Sequence, residues 1–387
     1  MTAPTTAATT ATRPLRVHLV CTGLGHERRG FEAFTRACAK ALVGDPALTI
    51  EVYAGGRDGH VAGERVVANL PRASGAARFL GRLLRRDPYF IEQVTFFLGY
   101  LPRLVRRAPD VLYFADLNFG NTCWHWRHRF GGRFRMLFNN SGPTSMPFTR
   151  TDHVQQVTPG ALDAALARGE TVETQTLLPF GVELPVPFSP TDAGARGRAR
   201  AQLGLPATGE ILLCVAKLDK AYKRIDLLIE SVAALPQPRP FLLLVGADGP
   251  DGDALRALAV ARCGTQWAWR SLPAEEMPTA YRAADRFALF SHNEGFGLAY
   301  VEALAAGLPL VANDDATTRF VVGDAGVRHA IADVASGRAA LEAVLALPTD
   351  EASARARYES VCARFSWDAL RPAYVALLRH VAAGDAA

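Results

Sequence analysis

Two glutamates eight residues apart, Glu294 and Glu302, frame the stretch with the clearest chemical content, RFALFSHNEGFGLAYVEALAAGLPLVANDD, from Arg286 to Asp315. Between them Gly295, Phe296 and Gly297 leave room for a phosphate or a sugar to approach bare backbone N–H groups, and the helix that follows attracts anions to its N-terminus. Glu294 is expected to point from a loop into a crevice, and Glu302 to stand one turn into that helix. The pair is spaced to grasp two parts of one elongated ligand. Upstream, Lys217 and Lys223 lie six apart in KLDKAYK, where two cations can converge on one diphosphate.

These residues need a strand, a loop and a helix to hold them. The apolar run 287–290 reads as a strand and enters the glycine-bearing loop; a helix follows over about 297–306. Gly307 stops that helix and Pro309 forbids its continuation. A second apolar run, 308–312, comes at once, so the unit is a βαβ crossover of a parallel sheet, whose ligands sit at the carboxyl ends of the strands. The two lysines fall likewise between a strand at 210–215 and a helix at 225–234.

The segment SHNEGFGLAYVEALAAGLPLV resembles the E-x7-E motif region of family 4 retaining glycosyltransferases, enzymes of the GT-B architecture. The resemblance runs over roughly residues 15–383 and is strongest after 205. It implies an α/β chain with two Rossmann-like domains facing a central cleft and a C-terminal helix crossing back to the first. It also implies that Glu294 binds hydroxyls of the donor sugar and Glu302 those of the ribose, with Gly295, Phe296, Gly297 and Leu298 around the donor. Lys217 falls at the family's arginine position and Lys223 at its lysine, both toward the donor diphosphate; with Glu294 they form the implied catalytic set. Gly23 and Gly25 match the loop after the first strand that faces the diphosphate. Arg270, Ser271 and Leu272 match the loop (266–273) whose main chain recognises the base.

The chain departs from the family at the end of the fourth strand, 135–139. A histidine is frequent there, and this sequence has Asn140 and Ser141. No histidine is therefore assigned an acceptor role. Asp116 and Asn118, after the third strand at 111–114, join Asn140 and Ser141 as acceptor-side candidates. Asp314, Asp315, Thr317 and Thr318 lie at the exit of the strand after the motif, within reach of sugar or phosphate.

At 387 residues the chain suits two domains. The expected division is a disordered tail at 1–13, a first domain at 14–183, a linker at 184–205 rich in proline, and a second domain at 206–365. A last helix over 366–383, capped by Ser366, returns to the first domain.

With 49% apolar and 21% charged residues the composition is that of a soluble globular protein, and no apolar run approaches the ~20 residues of a membrane span. The six cysteines are scattered, with no C-x-x-C pair, which argues against a disulfide framework or a zinc site and for a reducing cytoplasm. Net charge is +5, but between Ala76 and Arg135 eleven arginines face four acids. The basic segment 78–107, with aromatic and leucine residues between its charges, reads either as a solvated helix face or as a peripheral contact with an anionic membrane. No nucleic-acid motif accompanies it.

Together these readings give a metal-independent hexosyltransferase that needs no cofactor. The resemblance implies a UDP- or GDP-sugar donor, with UDP favoured, and a hydroxyl-bearing small-molecule or glycan acceptor. The alternatives are a catalytically silent sugar-nucleotide binding module, a membrane-associated glycolipid glycosyltransferase, and a phosphorylase-like enzyme, which would need a pyridoxal lysine and a longer chain.

Overall fold

The computed structural model describes residues 13–27, 30–57, 64–142, 148–184 and 193–384. The expected tail up to residue 12 and linker residues 185–192 lie outside the described residues.

The first half builds one parallel sheet from β1 (Leu15–Cys21), β2 (Leu48–Ala54), β3 (Glu64–Val66), β4 (Val111–Phe114), β5 (Arg135–Asn140), β6 (His153–Gln156) and β7 (Gln175–Leu177), in the spatial order β3-β2-β1-β4-β5-β6-β7. Buried on both faces, β4 is a continuous apolar run, and β5 carries one at 136–138 before its two asparagines. Its helices are α1 (Gly30–Leu42), α2 (Gly75–Leu84), α3 (Pro88–Arg106), α4 (Leu117–Phe130) and α5 (Pro159–Leu166). Residue choice explains several of their starts: Ser74, Asp87 and Thr158 each accept a hydrogen bond from a first-turn N–H, and Pro88 and Pro159 occupy first positions where no N–H is needed.

The second half opens with α6 (Ala193–Leu203). It forms a six-stranded parallel sheet from β8 (Ile211–Val215), β9 (Phe241–Val245), β10 (Trp267–Arg270), β11 (Arg286–Leu289), β12 (Leu310–Asn313) and β13 (Val327–His329), in the order β10-β9-β8-β11-β12-β13. Around it lie α7 (Ile225–Ala233), α8 (Gly252–Cys263), α9 (Met277–Ala283), α10 (Leu298–Ala305), α11 (Ala316–Val321), α12 (Val334–Leu345) and α13 (Glu351–Phe365). In this sheet β8 has β9 on one side and β11 on the other, so the strand order reverses at β8. A crevice opens at such a switch point, between the loops that leave β8 and β11.

The final helix, α14 (Trp367–Ala383), leaves the second half and packs on α1, β1, β4 and β5 of the first. Ser366 caps it, its Oγ accepting from Ala369 N at 3.2 Å. The Tyr374 hydroxyl donates to the Pro179 carbonyl at 2.8 Å and accepts from Gln155 Nε2 at 3.0 Å, which anchors the helix to the end of the first half. Beside it Phe180 stacks on Phe34 with ring centroids 4.2 Å apart and meets Phe296 edge-on at 5.2 Å. Phe296 in turn meets Phe365 of α13 at 5.5 Å. The aromatic series carries the larger of two hydrophobic cores from one half into the other.

One local expectation changes. Residues 266–273 are not a loop throughout: Trp267 to Arg270 pair with β9 as the edge strand β10, because their aromatic-rich sequence suits a half-buried pleated surface.

Candidate active site

The switch point of the second sheet brings two of the motif residues, Lys223 and Glu294, into contact. After β8 the chain runs through Lys217 to Lys223, and Asp219 shapes the turn: its Oδ1 accepts from Tyr222 N at 2.6 Å and from Lys223 N at 3.3 Å. Arg224 follows in the left-handed region (φ 51°) and anchors the turn, its guanidinium donating to the Ile331 and Ala332 carbonyls. The outcome is that Lys223 Nζ donates to Glu294 Oε1 at 2.5 Å, joining the loops after β8 and β11. Lys217 lies in the same β8 loop, exposed and without an ion-pair partner among the described residues.

The Glu294 loop is held from three sides. Thr317 Oγ1, in the first turn of α11, donates to the Glu294 carbonyl at 2.9 Å. His292 N donates to the Tyr222 carbonyl at 2.8 Å. Gly295 packs on the first half: a Cβ there would lie 2.0 Å from the Ser141 carbonyl oxygen. Only glycine allows the lobes this close. Leu298, the first residue of α10, faces the start of α1, its Cδ1 lying 3.6 Å from where a Gly30 Cβ would be. Phe296 is buried in the aromatic series, so its backbone is fixed by its ring.

Glu302 sits half-buried on α10 and accepts from the Tyr281 hydroxyl of α9 at 2.6 Å. Burial raises its pKa, and the phenol's bond opposes that rise. Tyr281 had no role in the sequence reading; its signal is only an aromatic two residues before the end of α9. The four polar residues after β12 are divided among local tasks. Asp314 pairs with Arg319, Asp315 and Thr318 form a reciprocal cap on α11, and Thr317 alone bonds toward the site.

Across the crevice, the loop after β1 places Gly23 and Gly25 inside the fold. Gly25 has φ +87°, and a Cβ on it would lie 2.4 Å from the backbone of Gly56, so two glycine loops pack back to back. A polar network invisible in the linear sequence supports this loop. Glu92 of α3, fully buried, accepts from Arg72 Nη2 at 2.5 Å, Arg72 N at 2.7 Å, His26 Nε2 at 3.1 Å and Thr22 Oγ1 at 3.3 Å. Burial is the largest single influence on Glu92 and raises its pKa, but the bonds from His26 and Arg72 with the Arg72 charge outweigh it and hold the carboxyl at about 2.

The acceptor-side candidates divide. Asp116 is 2% exposed and accepts from Thr22 N at 2.8 Å and from the Tyr89 hydroxyl; Asn140 is 3% exposed and donates to Gln156 Oε1 at 2.8 Å. Both face inward and brace strand ends. Asn118, at the start of α4, is half-buried, its N–H given to Gln93 Oε1. Ser141 touches the opposite lobe, its carbonyl oxygen lying against Gly295. On the donor side, the Arg270 guanidinium turns away to the Leu203 and Trp269 carbonyls and its own carbonyl accepts from Gly246 N, whereas Ser271 and Leu272 follow β10 as an exposed and a half-buried loop residue.

Comparison with known proteins shows what the chain is similar to. Residues 195–360, which include both lysines and both glutamates, match the family model described as glycosyl transferases group 1. A D-inositol 3-phosphate glycosyltransferase of Actinosynnema mirum is 32% identical over 337 residues, covering 77% of this chain and 75% of that protein. The chain belongs to the family 4 glycosyltransferases. Other curated relatives of the same description match over less of their length: the chain spans about half of the protein from Xylanimonas cellulosilytica, which is 33% identical over 217 residues.

Solved structures give this family 4 glycosyltransferase its architecture. A sucrose-phosphate synthase from Thermosynechococcus elongatus superposes with a TM-score of 0.75 over 95% of this chain and 99% of that one, at 22% identity. Anabaena HepE, solved in complex with UDP-glucose, gives 0.68 over 94% and 99% at 16% identity. The fold is GT-B: two Rossmann-like domains, the second carrying the motif, and a helix that returns to the first.

Proposed function

We propose that this chain transfers a hexosyl group from a nucleotide diphosphate sugar, UDP-linked by preference, to a hydroxyl of a small-molecule or glycan acceptor, with retention of the anomeric configuration. The observation that carries the reading is the Lys223–Glu294 pair at the switch point, set beside the Gly295–Gly297 backbone and the N-terminus of α10. In this mechanism Lys217, Lys223 and the N–H groups at Phe296 and Gly297 stabilise the charge that grows on the departing diphosphate. Glu294, oriented by Lys223, accepts from sugar hydroxyls; Glu302, steadied by Tyr281, accepts from the ribose. The leaving phosphate oxygen takes the acceptor's proton on the same face. Two ammonium groups and a helix end neutralise the diphosphate, so the reaction uses neither a divalent cation nor a cofactor.

The UDP preference is supported by the fold-level likeness to HepE, solved with UDP-glucose, and a small cyclitol-type acceptor by the name its curated relatives carry. The six cysteines are free thiols, five of them buried, which suits a reducing cytoplasm. The two cations kept in the β8 loop favour turnover over a silent binding module. Thermal melts with UDP- and GDP-sugars test the donor: UDP at 100 times its Kd stabilises by about 2.7 kcal/mol. Release of UDP in the presence of a chelator then tests turnover and metal independence. Melts unmoved by any nucleotide would overturn the assignment.

A further inference from the structure

Lys223 and Glu294 satisfy each other before any ligand arrives. The lysine Nζ carries three hydrogens, and its one acceptor among the described residues is Glu294 Oε1 at 2.5 Å. The two charges act in opposite senses on their surroundings. Beneath them lies the buried Cys214 thiol, whose pKa burial raises to about 12; the Lys223 charge lowers it and the Glu294 charge raises it. Asp219, the other carboxylate of the β8 loop that faces the pair, is taken up by the backbone N–H groups of Tyr222 and Lys223. Lys217 stays exposed, with no ion-pair partner among the described residues.

A diphosphate entering this crevice therefore meets one open cation and one that a carboxylate already matches. The open ammonium attracts it. The matched pair offers little net charge, and the carboxylate within it repels a phosphate. The balance changes when the nucleotide carries a sugar, because sugar hydroxyls can donate to Glu294 in the ammonium's place and release the lysine's N–H groups to the phosphates. Only side chains need change partners. The backbone on either side of the exchange is held by Thr317 Oγ1, which donates to the Glu294 carbonyl, and by His292 N, which donates to the Tyr222 carbonyl.

We propose that Glu294 makes the site discriminate between the sugar-bearing donor and the free nucleoside diphosphate. It yields Lys223 to the diphosphate while a sugar is bound and takes the lysine back once the sugar has left, which loosens the product. Specificity is a difference of affinities, and here it is obtained by weakening the competitor as well as by binding the donor. The inference rests on the reading given above, in which Lys223 meets the diphosphate and Glu294 the sugar.

The test is titration calorimetry with UDP or GDP, and with the matching monophosphate, on the wild type, Glu294→Gln, Lys223→Gln and the double variant. Glutamine keeps the shape of Glu294 and removes its charge, so Glu294→Gln should bind the diphosphate ~10-fold more tightly, the lower end for a hydrogen bond to a charged group. The monophosphate, with no β-phosphate, should gain less. Lys223→Gln leaves the carboxylate unmatched and should bind the diphosphate ~10-fold more weakly. The double variant restores neutrality and should return to wild-type affinity. Diphosphate affinity unchanged or weakened in Glu294→Gln, with the unliganded melting temperature at the wild-type value, would overturn the proposal. So would a double variant as weak as Lys223→Gln, the mark of a lysine that serves the diphosphate at full strength beside the carboxylate. The double variant leaves no charge of the pair unmatched and decides the question even where Glu294→Gln is unstable. Failure of every form, wild type included, to bind either nucleotide would overturn the donor reading and this inference with it.

Discussion

Lys223 Nζ and Glu294 Oε1 lie 2.5 Å apart although 71 residues separate them in the chain, and with side chains 28% and 12% exposed both stay within reach of a ligand. Each therefore depends on the other for its position before any donor arrives. Lys223→Ala and Glu294→Ala should each lower kcat ~10²-fold or more, the range for losing one preorganised electrostatic contact. Because the two act together, the double variant should fall by less than the product of the singles, measured by steady-state UDP release. Near-wild-type turnover in both singles would refute the assignment.

Gly295→Ala introduces a methyl group 2.0 Å from the Ser141 carbonyl oxygen, a backbone atom of the other lobe. One lobe must move. The expected cost is about 1–3 kcal/mol in stability, with lowered kcat, read by thermal melts and initial rates. Gly197→Ala is the control: this glycine lies inside α6 with nothing near its Cβ position, so the change should stabilise by roughly 0.5–1 kcal/mol.

Acidification should weaken nucleotide binding through Glu302. Burial raises its pKa above the 4.5 of a free glutamate, and the Tyr281 bond opposes this. Binding the ribose calls for the ionised form, so UDP affinity falls as pH drops through the raised value; in Tyr281→Phe that fall should begin at higher pH. For stability the sign is reversed. A carboxyl raised on folding stabilises below its unfolded value and loses that contribution as pH rises through the folded one. Calorimetric titration with UDP from neutral to mildly acidic pH distinguishes the two variants.

Glu92 predicts acid lability. Held at about 2 against 4.5 when free, it contributes stability that is present above 4.5 and lost as pH falls toward 2. The span corresponds to about 3 kcal/mol. His18 adds to it from higher pH: burial lowers its pKa from 6.5 to about 4, so its contribution is present above 6.5 and lost on acidification through that window. Denaturant unfolding should show Glu92→Gln to be less stable at neutral pH and flatter in its dependence below pH 4.5.

Much of the second half was legible because its chemistry is local. The strand–loop–helix punctuation around Glu294 and Glu302, and the two lysines after β8, need only neighbouring residues to be read; α10 begins at Leu298, one residue from the expected start. The first half resisted because its polar residues serve distant partners. Asp116 and Asn140 end buried strands, as ligand residues do, yet their oxygen and amide are spent on Thr22, Tyr89 and Gln156. The Glu92 cluster joins positions 22, 26, 72 and 92, which no spacing rule connects. Arg270 was matched to a loop that reads a base through its main chain, and the fold adds that its guanidinium reaches back to the Leu203 carbonyl of α6. The lysines illustrate the converse: their spacing was read from the sequence, whereas only the fold shows that Lys223 alone meets Glu294.

The rings of Phe34, Phe180, Phe296 and Phe365 touch in succession, from α1 through the chain connection to the Glu294 loop and on to α13. Rotation of one lobe about that connection cannot leave Phe296 at rest, and Glu294 is bonded to the same short loop. If the proposed reaction needs one lobe to move against the other, that movement carries the Glu294 loop with it, so that gate and trigger are a single moving part.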